Sequence, residues 1–367
     1  MTRPELGPGD RLVVKVGTAS IVGPDGHPAE DRLDRLCAGI AGIRGLGIEV
    51  VLVSSGAIAA GLGPLGLAGR PADIPSLQAA AAVGQGLLLQ RYSALLADRG
   101  LVCAQMLLTQ HDFMQRQQYL NARNTLDRLL ALGAIPIVNE NDTVATDEIR
   151  FGDNDRLAAL VANLARARLL ALLTDARGLH EEDPRRNPDA PLIDEVERIT
   201  PELERSAGGR GSDVSTGGMA SKIAAAWVAT FSGVGVVVAS ADEASLERIA
   251  GGDRLGTYFH PHPTRASARR LWIAFAQPPQ GTVIVDLGAR KAVVEDKRSL
   301  LAVGVVDVKG AFASGDTVDV MVEGGDVFAR GLVRYEAQEL SDARGKPSAE
   351  LAGREVIHRD QLVILEG

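Results

Sequence analysis

Two textures alternate along most of the chain. Short runs of consecutive apolar, often β-branched residues are followed by longer stretches in which apolar positions recur every three or four residues. The runs LVVKVG, IEVVLVSSG, LVCAQMLL, AIPIVNEND, RLLALLTDARG and VGVVVAS predict buried strands. Between them, DRLDRLCAGIAGIRGLG, IPSLQAAAAVGQGLLLQRYSALLADRG, QYLNARNTLDRLLALG, DNDRLAALVANLARA and TGGMASKIAAAWVATFSG carry helical spacing, several with a glycine stop. This alternation predicts an α/β fold, an open αβα sandwich around a mostly parallel sheet. Ligands of such sheets bind beyond the carboxyl ends of the strands. Gly17, Ser55, Asn139 and Thr174-Asp175 fall at those ends.

The texture changes at AFAQPPQG, Ala274 to Gly281, where prolines and a glycine mark a connection. Beyond it come short strands with glycine turns: GTVIVDLGA, GVVDVKG, DTVDVMVEGGDVFARGLVRY and QLVILEG. They predict a small β-rich barrel or sandwich. The expected division is 1–275, a linker at 276–280, and 281–367.

Composition narrows the function. The 367 residues carry a formal net charge of -8, which argues against broad nucleic-acid or membrane-surface binding by the whole chain. The N-terminus lacks the apolar core of a secretory signal, and no apolar run reaches membrane-spanning length, so a cytoplasmic protein is expected. Cys37 and Cys103, the two cysteines, read as core thiols. The HPHP run at His260–Pro263 reads as a plain linker.

Several stretches carry candidate chemistry. Lys15 lies inside a buried strand and is followed at once by Gly17-Thr18. A buried lysine needs a partner, and a glycine turn offers backbone N–H groups to an anion. Ser55 in VSSGAIAAG either caps the next helix or lets a ligand approach its N-terminus. STGGMASK opens a helix on glycines, with Lys222 just over a turn in, a second lysine suited to phosphate. GLGPLG has dinucleotide spacing but follows a helical pattern and contains proline, and no Walker A lysine is present.

The stretch VNENDTVATDEIRFGDND, Val138 to Asp155, sets six carboxylates against one arginine. A solvated acidic loop is one reading. The other is that lysines, a metal–nucleotide or an ammonium-bearing substrate balance the charge.

Taken in order, VVKVGTAS, VSSGAIAAG, VNENDTVAT, FGDND, LLTDARGL and TGGMASK resemble the glutamate 5-kinase branch of the amino acid kinase family. The β-rich C-terminal part resembles a PUA domain. The resemblance implies phosphorylation of the γ-carboxylate of L-glutamate by Mg-ATP, the first step of proline synthesis. It further implies ATP and Mg²⁺ as cofactors, homo-oligomerisation as dimer or tetramer, and feedback inhibition by proline.

Carried onto this sequence, the resemblance makes Lys15 and Lys222 contacts of the ATP phosphates and Asp155 the residue that holds them. Ser55, Asp142 and Asn154 would bind glutamate, Asp142 through its ammonium group. Thr174, Asp175 and the loop Thr216, Gly217, Gly218, Met219, Ala220, Ser221 and Lys222 would hold the nucleotide, and Asp153 would be the magnesium-site residue. Ala19 and Ser221 depart from the serine and threonine frequent in relatives, which puts their hydroxyl contacts in question.

PUA domains elsewhere often bind RNA. Residues 280–367 hold 15 acidic and 11 basic residues, a balance of 11 − 15 = −4. A basic face is what RNA requires, so a structural or regulatory module is expected, with Arg290-Lys291 and Lys297-Arg298 the local basic patch.

Overall fold

The computed structural model describes residues 3–23, 27–144, 154–182, 184, 187, 189–200, 203, 218–262 and 279–365. The chain forms two compact units, Met1–His262 and Pro263–Gly367. The first three residues of the expected 276–280 linker lie outside the described residues.

In the first unit the strands are β1 (Arg11–Val16), β2 (Glu49–Val53), β3 (Cys103–Leu108), β4 (Ile135–Glu140), β5 (Leu169–Thr174), β6 (Glu195–Val196), β7 (Gly235–Ser240) and β8 (Thr257–Phe259). They form one sheet in the order β3-β4-β2-β1-β5-β7-β8-β6. Every pairing is parallel except β7 with β8. The antiparallel strand β8 and its two-residue neighbour β6 were not expected from the sequence, being too short for any period to register. β1 is flanked by β2 and β5, with Lys15 opposite Val53 on one side and Leu172 on the other. The chain builds outward from β1 through β2, then returns to its other side with β5. The reversal puts a crevice at the carboxyl ends of β1 and β5.

The helices are α1 (Thr18–Ile21), α2 (Glu30–Gly45), α3 (Ala57–Leu62), α4 (Ile74–Ala97), α5 (Gln110–Met114), α6 (Arg116–Ala131), α7 (Asn154–Leu164), α8 (Met219–Phe231) and α9 (Leu246–Ala250). Strand alternation decides what each face carries. Leu12, Val14 and Val16 of β1 pack with Leu33, Cys37 and Ile40 of α2 and with Leu88, Tyr92 and Leu96 of α4. Val13 and Lys15 therefore point to the opposite face, where α7 lies against β1 and α8 lies against α7 and β7. The side chain of Lys15 is thus directed among helices, and something there must balance its charge.

The second unit has β9 (Gly281–Val285), β10 (Val305–Gly310), β11 (Thr317–Val322), β12 (Val327–Leu332) and β13 (Leu362–Ile364), in the order β10-β9-β11-β12-β13. Its core gathers Val283, Val318, Phe328 and Leu340 among others. One expected strand is corrected: GTVIVDLGA ends as a strand at Val285, and Leu287–Val294 is a helix whose N-cap, Asp286, accepts from the Ala289 N–H at 2.6 Å. The HPHP reading also changes. His260 meets Glu195 at 2.9 Å and His262 stacks on Phe231 with centroids 4.4 Å apart, so both imidazoles pack into the first unit.

Candidate active site

Three buried charges converge between α7, α8 and β1. The ammonium of Lys15 lies 2.6 Å from Asp155 Oδ1, and that of Lys222 lies 3.2 Å from Asp155 Oδ2. Ser221 Oγ donates to the same Oδ2 at 2.8 Å. Asp155 is 0% exposed, and each lysine is 5% exposed. Burial alone would raise the Asp155 carboxyl, but the charges of Lys15 and Lys222 and the hydrogen bonds from Lys15 and Ser221 outweigh it and hold the group below its ordinary value.

Local structure explains the convergence. Asp155 opens α7, where a carboxylate also suits the positive end of the helix. Lys222 sits one turn into α8, whose N-cap is the extended Gly218. Gly17 ends β1 on an open backbone: a Cβ there would come only to 3.9 Å from Leu173 O and 4.0 Å from Lys15 Nζ. The hydroxyl of Ser221, in question from sequence alone, is turned onto Asp155.

A second, polar cluster adjoins this one through consecutive residues of α7. Asn154 Nδ2 donates to Ser54 O at 2.5 Å, to Asn139 Oδ1 at 2.7 Å and to Ser55 Oγ at 3.2 Å. Ser55 is not the cap of α3. Gly56 takes that place in the left-handed region at φ +83, where a Cβ would lie 2.9 Å from Val22 Cγ2. Freed from capping, the Ser55 hydroxyl faces Asn154. Asp142, just past β4, has its carboxyl pushed up to about 6 by burial, with the charge of Arg70 acting in the opposite direction.

At the end of β5, Thr174 Oγ1 donates to Asp175 Oδ1 at 2.9 Å, and Thr174 is buried. Gly218, Met219 and Ala220 form the start of α8. Asp153, Thr216 and Gly217 lie outside the described residues. Among the described residues no group of three or more histidines, cysteines and carboxylates is placed to hold a metal. Sequence reading did not assign a role to Ser54, Asn139 or Tyr92. Asn139 had been noticeable at a strand end, whereas Ser54 and Tyr92 carry no local signal.

The GLGPLG stretch is accounted for by packing. Gly61 lies in α3, and a Cβ on it would run into the Ala80 carbonyl of α4. Both cysteines are free. Cys37 is buried, and burial pushes its thiol up to about 12, which leaves it inert.

Arranged this way, two fixed cations face the crevice at the β1 and β5 ends, beside a neutral polar cluster and a carboxylate. Such a site can neutralise two anionic reactants held side by side.

The chain is similar to known proteins over nearly its whole length. The profile of the amino acid kinase family matches residues 10–240, and that of the PUA domain matches 281–353. The glutamate 5-kinase of Streptomyces coelicolor is 50% identical, over 99% of this chain and 98% of its own length. The glutamate 5-kinase of Thermobifida fusca is 49% identical, over 99% and 95%. That of a Geobacter strain is 47% identical, over 97% of each. Among solved structures, a UMP kinase from Bacillus anthracis aligns with a TM-score of 0.48 and 16% identity, covering 69% of this chain and 97% of its own.

Proposed function

The chain belongs to the amino acid kinase family and to its glutamate 5-kinase branch, and from that premise we propose how its residues divide the work of moving the γ-phosphoryl group of ATP to the γ-carboxylate of L-glutamate. The observation that carries the proposal is the bridging of Lys15 and Lys222 by the fully buried Asp155.

A glutamate carboxyl, with a reference pKa near 4.3, is ionised at neutral pH, so it attacks without a general base. No histidine is needed, and none lies in this cluster. The difficulty is bringing an anion to a phosphate. Lys15 and Lys222 offset that repulsion and stabilise the charge spread over the transferring group. One carboxylate oxygen forms the new O–P bond as the bond to ADP breaks, leaving an acyl phosphate. Asp155 does not touch substrate in this reading. It fixes both ammonium groups in one geometry, and Ser221 occupies part of its remaining acceptor capacity.

Ser55 and Asn154 hold the acceptor, and Asp142 takes its ammonium group. Thr174, Asp175 and the start of α8 hold the nucleotide. ATP use follows from the kinase family. Mg²⁺ is proposed to arrive with the nucleotide, where it would shield phosphate charge, with Asp153 the candidate contact. A cytoplasmic location, proline as feedback inhibitor, a homo-oligomer and a structural or regulatory C-terminal unit belong to the same proposal. Among the described residues no helix is long and apolar enough to cross a membrane.

Trapping the product with hydroxylamine tests the substrate. With ATP and Mg²⁺, glutamate is expected to give hydroxamate at least about a hundredfold faster than aspartate or N-acetylglutamate, because a site built for one polar group leaves its own groups unpaired with another. Equal rates with aspartate would contradict the assignment.

A further inference from the structure

Tyr92 is fully buried in the C-terminal part of the long helix α4, where a phenol requires a partner. That partner is Ser54 Oγ at 3.1 Å. Ser54 is a junction. Its N–H donates to Val138 O at 2.9 Å, its carbonyl accepts from Asn154 Nδ2 at 2.5 Å, and its hydroxyl also lies 3.3 Å from Ser55 O. Ser55 and Asn154, the two neutral residues assigned to the acceptor, are both in hydrogen-bond contact with it.

The helix that carries Tyr92 is itself fixed against the site. Ala80, Gly84, Leu88, Tyr92 and Leu96 recur every four residues and are all buried, so they form one stripe. At Ala80 and Gly84 this stripe meets α3 backbone to backbone. A Cβ on Gly84 would run into Ala57 O, and one on Gly61 into Ala80 O. Since α3 starts just after Ser54-Ser55-Gly56, the phenol is held at a set distance from the loop it supports.

We propose that Tyr92 is a positioning residue for the phosphoryl acceptor: through Ser54 it holds the Ser55 hydroxyl and the Asn154 amide in the geometry that binds the amino acid. This rests on the assignment of Ser55 and Asn154 to glutamate. A tyrosine that merely filled the core would behave otherwise, because Tyr92→Phe would keep the ring and change stability alone.

The test is a double-mutant cycle on the full-length enzyme with Tyr92→Phe, Ser54→Ala and the pair, reading KM for glutamate, KM for ATP, kcat and thermal midpoint. Each single variant is expected to raise the glutamate KM by about three- to tenfold, the range of one hydrogen bond, with the ATP KM within about twofold of wild type. The double variant is expected to match Ser54→Ala, which by itself already removes the link to Tyr92. Tyr92→Phe with wild-type glutamate KM and kcat overturns the proposal, as do effects of the two singles that multiply. Should Tyr92→Phe fold poorly, Ser54→Ala still decides, since a normal glutamate KM there removes the junction from the mechanism. Wild-type protein inactive on glutamate would overturn the substrate assignment itself, before any variant is compared.

Discussion

Lys222 Nζ lies 3.2 Å from Asp155 Oδ2 on the neighbouring helix, the carboxylate fully enclosed and the lysine nearly so. A buried pair of this kind is a poor source of stability, because desolvating the charges offsets most of their attraction. Its persistence beside a second lysine at 2.6 Å is best explained by chemistry. Two cations on one carboxylate leave a surplus of positive charge for a ligand.

Lys15→Ala and Lys222→Ala are therefore each expected to lower kcat by about a hundred- to a thousandfold, the cost of one lost electrostatic contact to a transition state. The glutamate KM is expected to stay within about threefold, since the proposed role of the lysines is on the phosphoryl group. Steady-state kinetics at saturating ATP check this. An unchanged kcat in either variant removes that lysine from the transfer step.

Asp142 gives a pH signature. Its carboxyl is pushed up to about 6 by burial, and only the ionised form attracts an ammonium group. Glutamate kcat/KM should fall as pH drops from 7 through 6, and Asp142→Asn should lose this limb along with much of the affinity. Stability runs the other way. A carboxyl whose folded pKa is raised contributes stability that is present at low pH and is lost as pH rises through about 6. The ligand-free Asp142→Asn variant should accordingly have the higher thermal midpoint at pH 8. A pH profile unaltered in the variant would assign the limb to another group.

Gly84 tests the support beneath the loop Ser54-Ser55-Gly56. Because a methyl group there meets the Ala57 carbonyl and has nowhere to go, Gly84→Ala should cost about 3 kcal/mol or more. Calorimetry should show a thermal midpoint lower by roughly 5–10 °C. Gly86, two residues on, has open space around its would-be Cβ, and Gly86→Ala should be neutral or stabilising.

Much of this was legible because period and position carry physical meaning. The alternation in LVVKVG directs Lys15 to the face opposite α2, and a buried strand lysine demands a counter-charge. The glycine-opened helix places Lys222 about one turn past its N-cap. What stayed hidden depends on contacts between elements. Ser54 and Asn139 look like ordinary turn formers at strand ends, and Tyr92 looks like core. Only the approach of α4 to α3 and of α7 to β2 makes them one network. Ser55 read equally well as a helix cap until the left-handed Gly56 took that role. In the second unit, Asp286 was the overlooked start signal of the helix Leu287–Val294, masked by the apolar run before it.

The most direct measurement on the central claim is kcat for ATP-dependent hydroxamate formation from glutamate by Asp155→Asn, a replacement of nearly the same shape without the charge. If Asp155 works by gathering Lys15 and Lys222, kcat falls by at least about a hundredfold while the glutamate KM stays within about threefold. A folded Asp155→Asn enzyme that turns over at the wild-type rate would contradict the account.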